Sequence, residues 1–364
     1  VLVVDASRML PGAVLARSLL DLGARLIKVE DPRGGDVLRS APPLVDGIGI
    51  GFCTFFRGAE SVALDLRTER GRTGLDLLLG RADVFIESFR PGTLARWGVD
   101  LDAAEAKNPG LISCSLPSFA ENVADEVAHD LNIMGLTGVL EHLPNGDGGI
   151  PRLQFVDVNT GLLANSSILA ALLRRGRDGR GGRLSQPMAC APLPWLTWAW
   201  ADQALGGDPG MSETLLSGKA ACYRTYRCRD GDLLSVACVE PKFWVTFTQV
   251  IELPALATRG FDTTPAGAEV AAAVSERLAT RPRAEWLALL EPHRLPIAAV
   301  QSLAQARADP RLDSSPLVER LPLPDGSSLR APGPALPSLG RTPERPAPRL
   351  GAHTEAVLEE MGGQ

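Results

Sequence analysis

Short apolar runs alternate with helical periods along the first third of the chain. Val1–Asp5 (V-L-V-V-D) reads as a buried parallel strand. A helical period around Arg17–Leu22 follows, closed by Gly23, and Leu26–Glu30 (L-I-K-V-E) is the next strand. The unit recurs as strand Ser61–Leu64, helix Thr68–Leu79, strand Val84–Glu87, helix Asp102–Lys107 and strand Leu111–Ser115. Such alternation with short loops predicts a parallel sheet covered on both faces. Right-handed crossovers make it a doubly wound, Rossmann-like α/β layer.

Beyond this layer the pattern changes. Gly161–Leu173 predicts a helix, and the run R-R-G-R-D-G-R-G-G-R (174–183) reads as a solvated turn between domains in preference to a phosphate-binding loop. Trp195, Trp198 and Trp200 form an apolar cluster expected at an interface or in a core. Tyr223–Cys238 predicts a hairpin turning at Asp230–Gly231–Asp232, and helical periods continue to Leu290. The Pro-rich stretch Leu321–Arg349 predicts extended chain wrapped over a surface, with a final helix at His353–Met361.

Composition narrows the class. With 364 residues, 45% hydrophobic and 22% charged, the chain fits a globular protein of two domains, or one with an excursion. A net charge of −6 argues against nucleic acid as a partner, while a phosphate-bearing ligand needs only a few local cations. No continuous apolar run reaches the ~18–20 residues of a membrane span, and the first residues read as strand and not as a signal segment. Cys53, Cys114, Cys190, Cys222, Cys228 and Cys238 form no C-x-x-C pair, as expected of reduced thiols in a cytoplasmic protein. Four scattered histidines suggest no metal site. After the first strand, D-A-S-R-M-L-P-G stands where a dinucleotide fold has G-x-G-x-x-G, and there is no P-loop, so no nicotinamide or flavin cofactor is expected.

Candidate chemistry concentrates in three segments. V-A-H-D-L-N-I-M-G-L-T-G (127–138) sets His129 beside Asp130 at the head of a helix-like run. Q-F-V-D-V-N-T-G (154–161) carries Asp157 just before a helical period, and V-E-P-K-F-W (239–244) carries Glu240 at the end of a β-rich run. A His, an Asp and a Glu where strands or turns meet helices can form an acid/base constellation. Each also fits a plain reading: His129 in a local N-cap pair, Asp157 as a capping residue, Glu240 in a turn before Pro241. Spacing alone leaves both open.

Read together, the segments resemble the family III CoA-transferases and, within them, the 2-methylacyl-CoA racemases, nearly end to end. The resemblance is carried by S-R-M-L-P-G (7–12), D-L-G-A-R-L-I-K-V-E-D-P (21–32), G-D-V-L-R (35–39), E-S-F-R-P-G (87–92), N-P-G-L-I (108–112) and A-H-D-L-N (128–132). Q-F-V-D-V-N-T-G, Y-R-T-Y-R-C-R-D-G (223–231), V-E-P-K-F-W, L-P-I-A-A-V (295–300) and L-G-A-H-T (350–354) extend it in order. It implies a large Rossmann-like domain over 1–190 completed by 310–364, a smaller α+β domain over 205–300, and linkers at 191–204 and 301–309. It also implies an interlocked homodimer acting on an acyl-CoA, with CoA as part of the substrate and no separate cofactor. Arg39, Arg90 and Lys28 match positions that contact CoA, where guanidinium forks suit phosphate oxygens.

By the same resemblance, Asp157 is the shared chemical residue. In a transferase it attacks the thioester to form an acyl-aspartyl anhydride. In a racemase it is one of two bases flanking the α-carbon, the other being His129, with Glu240 orienting the His. The backbone N–H of Asp130, at a helix start, is a fitting donor to the enolate oxygen. The sequence departs from the family pattern at F-R-G-A-E-S (56–61), where Ala59 and Glu60 replace two cations, and this should weaken phosphate anchoring. L-P-S-F-A (116–120) should reshape the acyl pocket, L-S-Q-P-M (184–188) also departs, and Asn159–Gly161 stands closer to transferases. The leading expectation is an epimerase of α-substituted acyl-CoA. The alternatives are a CoA-transferase and a repurposed relative without CoA chemistry.

Overall fold

The computed structural model describes residues 1–120, 126–143, 150–206, 215–313, 318–333 and 345–362. The chain divides into two units, residues 1–195 with 314–364, and residues 196–313.

The first unit is built on a six-stranded, wholly parallel sheet. Its strands are β1 (Leu2–Asp5), β2 (Arg25–Glu30), β3 (Glu60–Ala63), β4 (Val84–Glu87), β5 (Ile112–Ser115) and β6 (Gly182–Ser185), in spatial order β3-β2-β1-β4-β5-β6. The first five lie within a residue or two of the expected runs. Alternate residues leave opposite faces of each strand. Val3, Val84 and Ile86 pack on one side with helix α1 (Met9–Asp21) and helix α2 (Ile50–Phe55). Val4, Ile27 and Phe85 pack on the other with helix α3 (Glu69–Leu79), short helices α4 (Thr93–Arg96) and α5 (Leu101–Lys107), and residues of the C-terminal helix Thr354–Gly362. Thr68 caps α3, its hydroxyl accepting from Gly71 N–H at 3.1 Å. Because successive strands run outward in both directions from β1 and β4, the loops after these two part, leaving a crevice beyond their carboxyl ends.

Two helices bring the candidate residues to that crevice. Helix α6 spans Asp130–Thr137 and helix α7 spans Phe155–Asp178. Helix α7 lies against α1 at a crossing that requires glycine. A Cβ on Gly161 would meet the Pro11 carbonyl oxygen at 2.7 Å and Val14 Cβ at 2.8 Å. The expected turn at 174–183 is corrected by the structure. The helix runs on to Asp178, Arg175 pairs with Asp83 at 2.8 Å, and Gly179 caps the helix in the left-handed region. Gly182 then enters β6, so the glycines deliver the sixth strand and do not link domains. Helix α7 is also long and apolar enough, by length and composition, to cross a membrane. Its Gly161, Ala164, Ile168 and Ala171 are buried in this fold.

The second unit packs a three-stranded antiparallel sheet against helices. The expected hairpin is present as β7 (Tyr223–Arg227) and β8 (Leu233–Ala237), joined by β9 (Ile297–Ala299). Buried Trp244 and Trp286 donate their indole N–H groups to Leu256 O and Leu278 O at 2.9 and 2.8 Å. The stretches expected as linkers contain helices: α8 (Leu193–Ala204), which carries the chain from one unit to the other, and Leu303–Ala308. Trp195, Trp198 and Trp200 are largely solvent-exposed on α8. The expected extended tail begins as a hairpin, Val318–Pro322 with Ser328–Pro332, and its residues 334–344 lie outside the described ones.

Candidate active site

Three loops at the carboxyl edge of the sheet build the site. After β1, Arg8 N–H donates to Ser88 Oγ at 2.8 Å, tying that loop to the one after β4. After β5, Ser118 Oγ donates to Ala128 O at 3.2 Å and accepts from Ala128 N–H at 3.4 Å, which fixes the approach to His129. His129 is the N-cap of α6, in extended conformation, and Asn132 Oδ1 accepts its backbone N–H at 3.3 Å. The capping geometry the sequence suggested is therefore present, and it leaves the imidazole exposed.

Asp157 stands inside the first turn of α7, not ahead of it. The reason lies 27 residues earlier. The buried Asp130 carboxylate accepts from Val156 N–H at 2.7 Å and Asp157 N–H at 3.0 Å, capping α7 from another helix. Burial first, and the adjacent Asp130 charge second, together lift the Asp157 carboxyl to about 6. On the following turn, Asn159 Nδ2 donates to Ala191 O at 2.6 Å, holding the start of α7 against the chain beyond β6.

His129 and Asp157 line one cavity of about 240 Å³, together with Arg8, Met9, Phe89 and Arg90. A larger crevice of about 790 Å³ adjoins it, sharing Phe89, Arg90, Pro91 and Pro117. Glu87, at the end of β4, lines that crevice, and burial pushes its carboxyl to about 7. Arg90 is exposed at the junction of the two spaces.

The other two expected cations are held differently. Lys28 is 1% exposed, with its ammonium 3.0 Å from Asp5, 3.2 Å from Asp36 and 2.5 Å from Ser7 O. Arg39 is buried over the Phe52 ring at 3.7 Å. It pairs bidentately with Glu30 at 2.6 and 2.7 Å and donates to Pro348 O at 2.9 Å. Both cations expected at CoA-contact positions are thus committed to internal carboxylates. Each neutralises a buried carboxylate whose desolvation would otherwise go uncompensated. The replaced cations also have a structural context: Ala59 is buried in the core, and Glu60 opens β3 at the sheet's amino edge, paired with Arg25 at 2.7 Å. That edge is opposite the cavities.

Glu240 belongs to the second unit. It is the exposed N-cap of the helix Pro241–Val250, where its carbonyl accepts from Phe243 and Trp244 N–H at 3.0 and 3.2 Å. Arg8 and Phe89 were not singled out by the sequence, although both sit in segments that carry the family resemblance. The signal available was their position directly after the first and fourth strands of a parallel sheet.

The fold and the site define an α/β protein with a histidine and an aspartate lining one cavity at the carboxyl edge of a parallel sheet. The model of the family described as CoA-transferase family III matches residues 1–354, and the chain belongs to that family. Among its relatives is a mouse succinyl-CoA:glutarate CoA-transferase, 28% identical over 99% of this chain and 85% of the relative. A mouse alpha-methylacyl-CoA racemase is also 28% identical, over 99% and 92%. A CAIB/BAIF family protein from Brucella suis has a similar solved structure, with a TM-score of 0.84 at 28% identity over 99% of this chain and 98% of that one. Transferases and racemases thus stand together among the relatives.

Proposed function

We propose that the protein epimerises an α-substituted acyl-CoA by moving one proton through an enolate. The observation that carries this reading is that His129 and Asp157 line the same cavity. One base takes the α-proton from one face, the charge passes to the thioester oxygen, and the other group returns a proton to the opposite face. The thioester bond stays intact and the protons balance. A carboxyl lifted to about 6 by burial remains mostly ionised near neutral pH, yet is a stronger base than an ordinary Asp. Asp130 positions that base through the cap on α7, and its own backbone N–H at the head of α6 is the proposed donor to the enolate oxygen. Arg90, at the cavity mouth, is the proposed contact to the CoA phosphates. Glu240 is proposed to support His129, on the resemblance alone.

A CoA-transferase is the second reading, favoured by the transferases among the relatives and by an Asp157 carboxylate whose pKa no basic group among the described residues lowers. Variants separate the two. Asp157→Ala should abolish both reactions, whereas His129→Ala should abolish epimerisation and leave most acyl transfer. Full epimerisation by His129→Ala would remove the two-base assignment.

The sheet order supports the Rossmann-like reading of the first unit. We further propose a homodimer, for which α7 offers Val158, Leu162, Leu169 and Leu173, all exposed along one helical face. The six thiols, all free and five of them buried, fit a reducing cytoplasmic setting.

A further inference from the structure

Arg8, which shares its cavity with the exposed Arg90, differs from the carboxylate-paired cations at the carboxyl edge of the sheet. Lys28 faces Asp5 and Asp36, Arg39 faces Glu30, and Arg67 faces Asp31 and Asp65. The exposed Arg8 guanidinium has no carboxylate at ion-pair distance among the described residues; it lies over the Phe89 ring, 5.5 Å from the centroid. Its main chain is fixed on both sides. The N–H is held by Ser88 Oγ at 2.8 Å, and the next residue, Met9, takes a left-handed φ of 67°. A non-glycine residue keeps that conformation only where its surroundings impose it, and such positions gather at ligand sites.

The cavity that Arg8 shares with His129 and Asp157 is about 240 Å³, below the ~300–1,000 Å³ of pockets for drug-sized ligands. It therefore suits a short acyl chain. Asp157 is not the partner of Arg8, since among the described residues no cation, Arg8 included, opposes the upward shift of its carboxyl. A guanidinium held over an aromatic ring, beside a small reactive cavity and without an internal counter-ion, is arranged to take an oxyanion from a ligand.

We propose that Arg8 is a specificity residue that pairs with a carboxylate on the acyl group, making a short acyl-CoA with a second, distal acid group the favoured substrate class. The inference rests on the reading that this cavity receives the acyl end of a CoA thioester. The same fork suits a phosphate of the CoA moiety, so the test must separate the two sources of oxyanion.

Calorimetric titration of the full chain with CoA, butyryl-CoA and succinyl-CoA does so, because the two thioesters share one chain length and differ in the terminal acid. Wild type should bind succinyl-CoA about tenfold or more tightly than butyryl-CoA, which is ~1.4 kcal/mol or more. Arg8→Met should reduce that preference to about one, Arg8→Lys should restore part of it, and all three proteins should bind CoA equally. Equal weakening of all three ligands in Arg8→Met would assign Arg8 to phosphate and overturn the proposal. So would a wild type without preference. A wild type that binds butyryl-CoA and exchanges its α-proton, but ignores the terminal acid, removes only the Arg8 assignment. A wild type that binds no thioester removes the functional reading as well.

Discussion

Replacing Asp157 by Asn should make the protein more stable at neutral pH while abolishing its activity. The folded state holds this carboxyl at about 6 against an ordinary 3.8, chiefly through burial and secondarily through Asp130. A raised carboxyl means that the folded state binds a proton more readily than the unfolded chain. Stability therefore falls as pH rises from about 4 to 6, and the penalty is complete above that window. The full difference, 6 − 3.8 = 2.2, corresponds to at most about 3 kcal/mol. Asp157 is only half-buried, so solvent screening cuts this to roughly 1–2 kcal/mol. Asn also forgoes the attraction of an anion to the α7 N-terminus, about 0.3–1 kcal/mol. The net gain is on the order of 1 kcal/mol, or a rise of about 2–4 °C in melting temperature. Thermal melts of both proteins at several pH values between about 7.5 and 4 check it. The gap should close toward the acid end. An Asn variant that melts lower at neutral pH, or a gap that persists unchanged at pH ~4, would refute the reasoning.

Two further outcomes follow from the same geometry. Asp130→Asn keeps an oxygen that can cap α7 but removes the neighbouring charge, so the Asp157 carboxyl should fall below about 6 and the acid limb of the pH–rate profile should move to lower pH; a limb moving upward contradicts this. Gly161→Ala should lower the melting temperature by the equivalent of about 1–3 kcal/mol, because the new methyl group meets a backbone carbonyl and a β-branched side chain that cannot swing away.

Much of the sheet was legible because its strands are short apolar runs with local stop signals. Val84–Glu87 ends where the sequence ends it, and the helix expected over Thr68–Leu79 begins one residue later, with Thr68 as its cap. The departures share one cause, partners distant in sequence. The run 174–183 looks like a solvated linker until Arg175 finds Asp83 and Gly182 pairs beside Ile112. Asp157 looks like a cap until Asp130 takes that role from another helix. Arg39 and Lys28 suit phosphate by residue type, but Glu30, Asp5 and Asp36 already occupy them. The site followed the same pattern. His129 and Asp157 were readable because the family resemblance marks them, whereas Arg8 became visible only once the loop after β1 was seen on the wall of their cavity.

The most direct test of the account is α-proton exchange. A single epimer of a 2-methylacyl-CoA is incubated with the protein in deuterated water, and the α-position is followed by NMR and mass spectrometry. The account predicts deuterium at the α-carbon together with loss of optical purity, both abolished by Asp157→Ala. Retention of the α-proton, with acyl transfer appearing only when a free carboxylic acid is added, would contradict it.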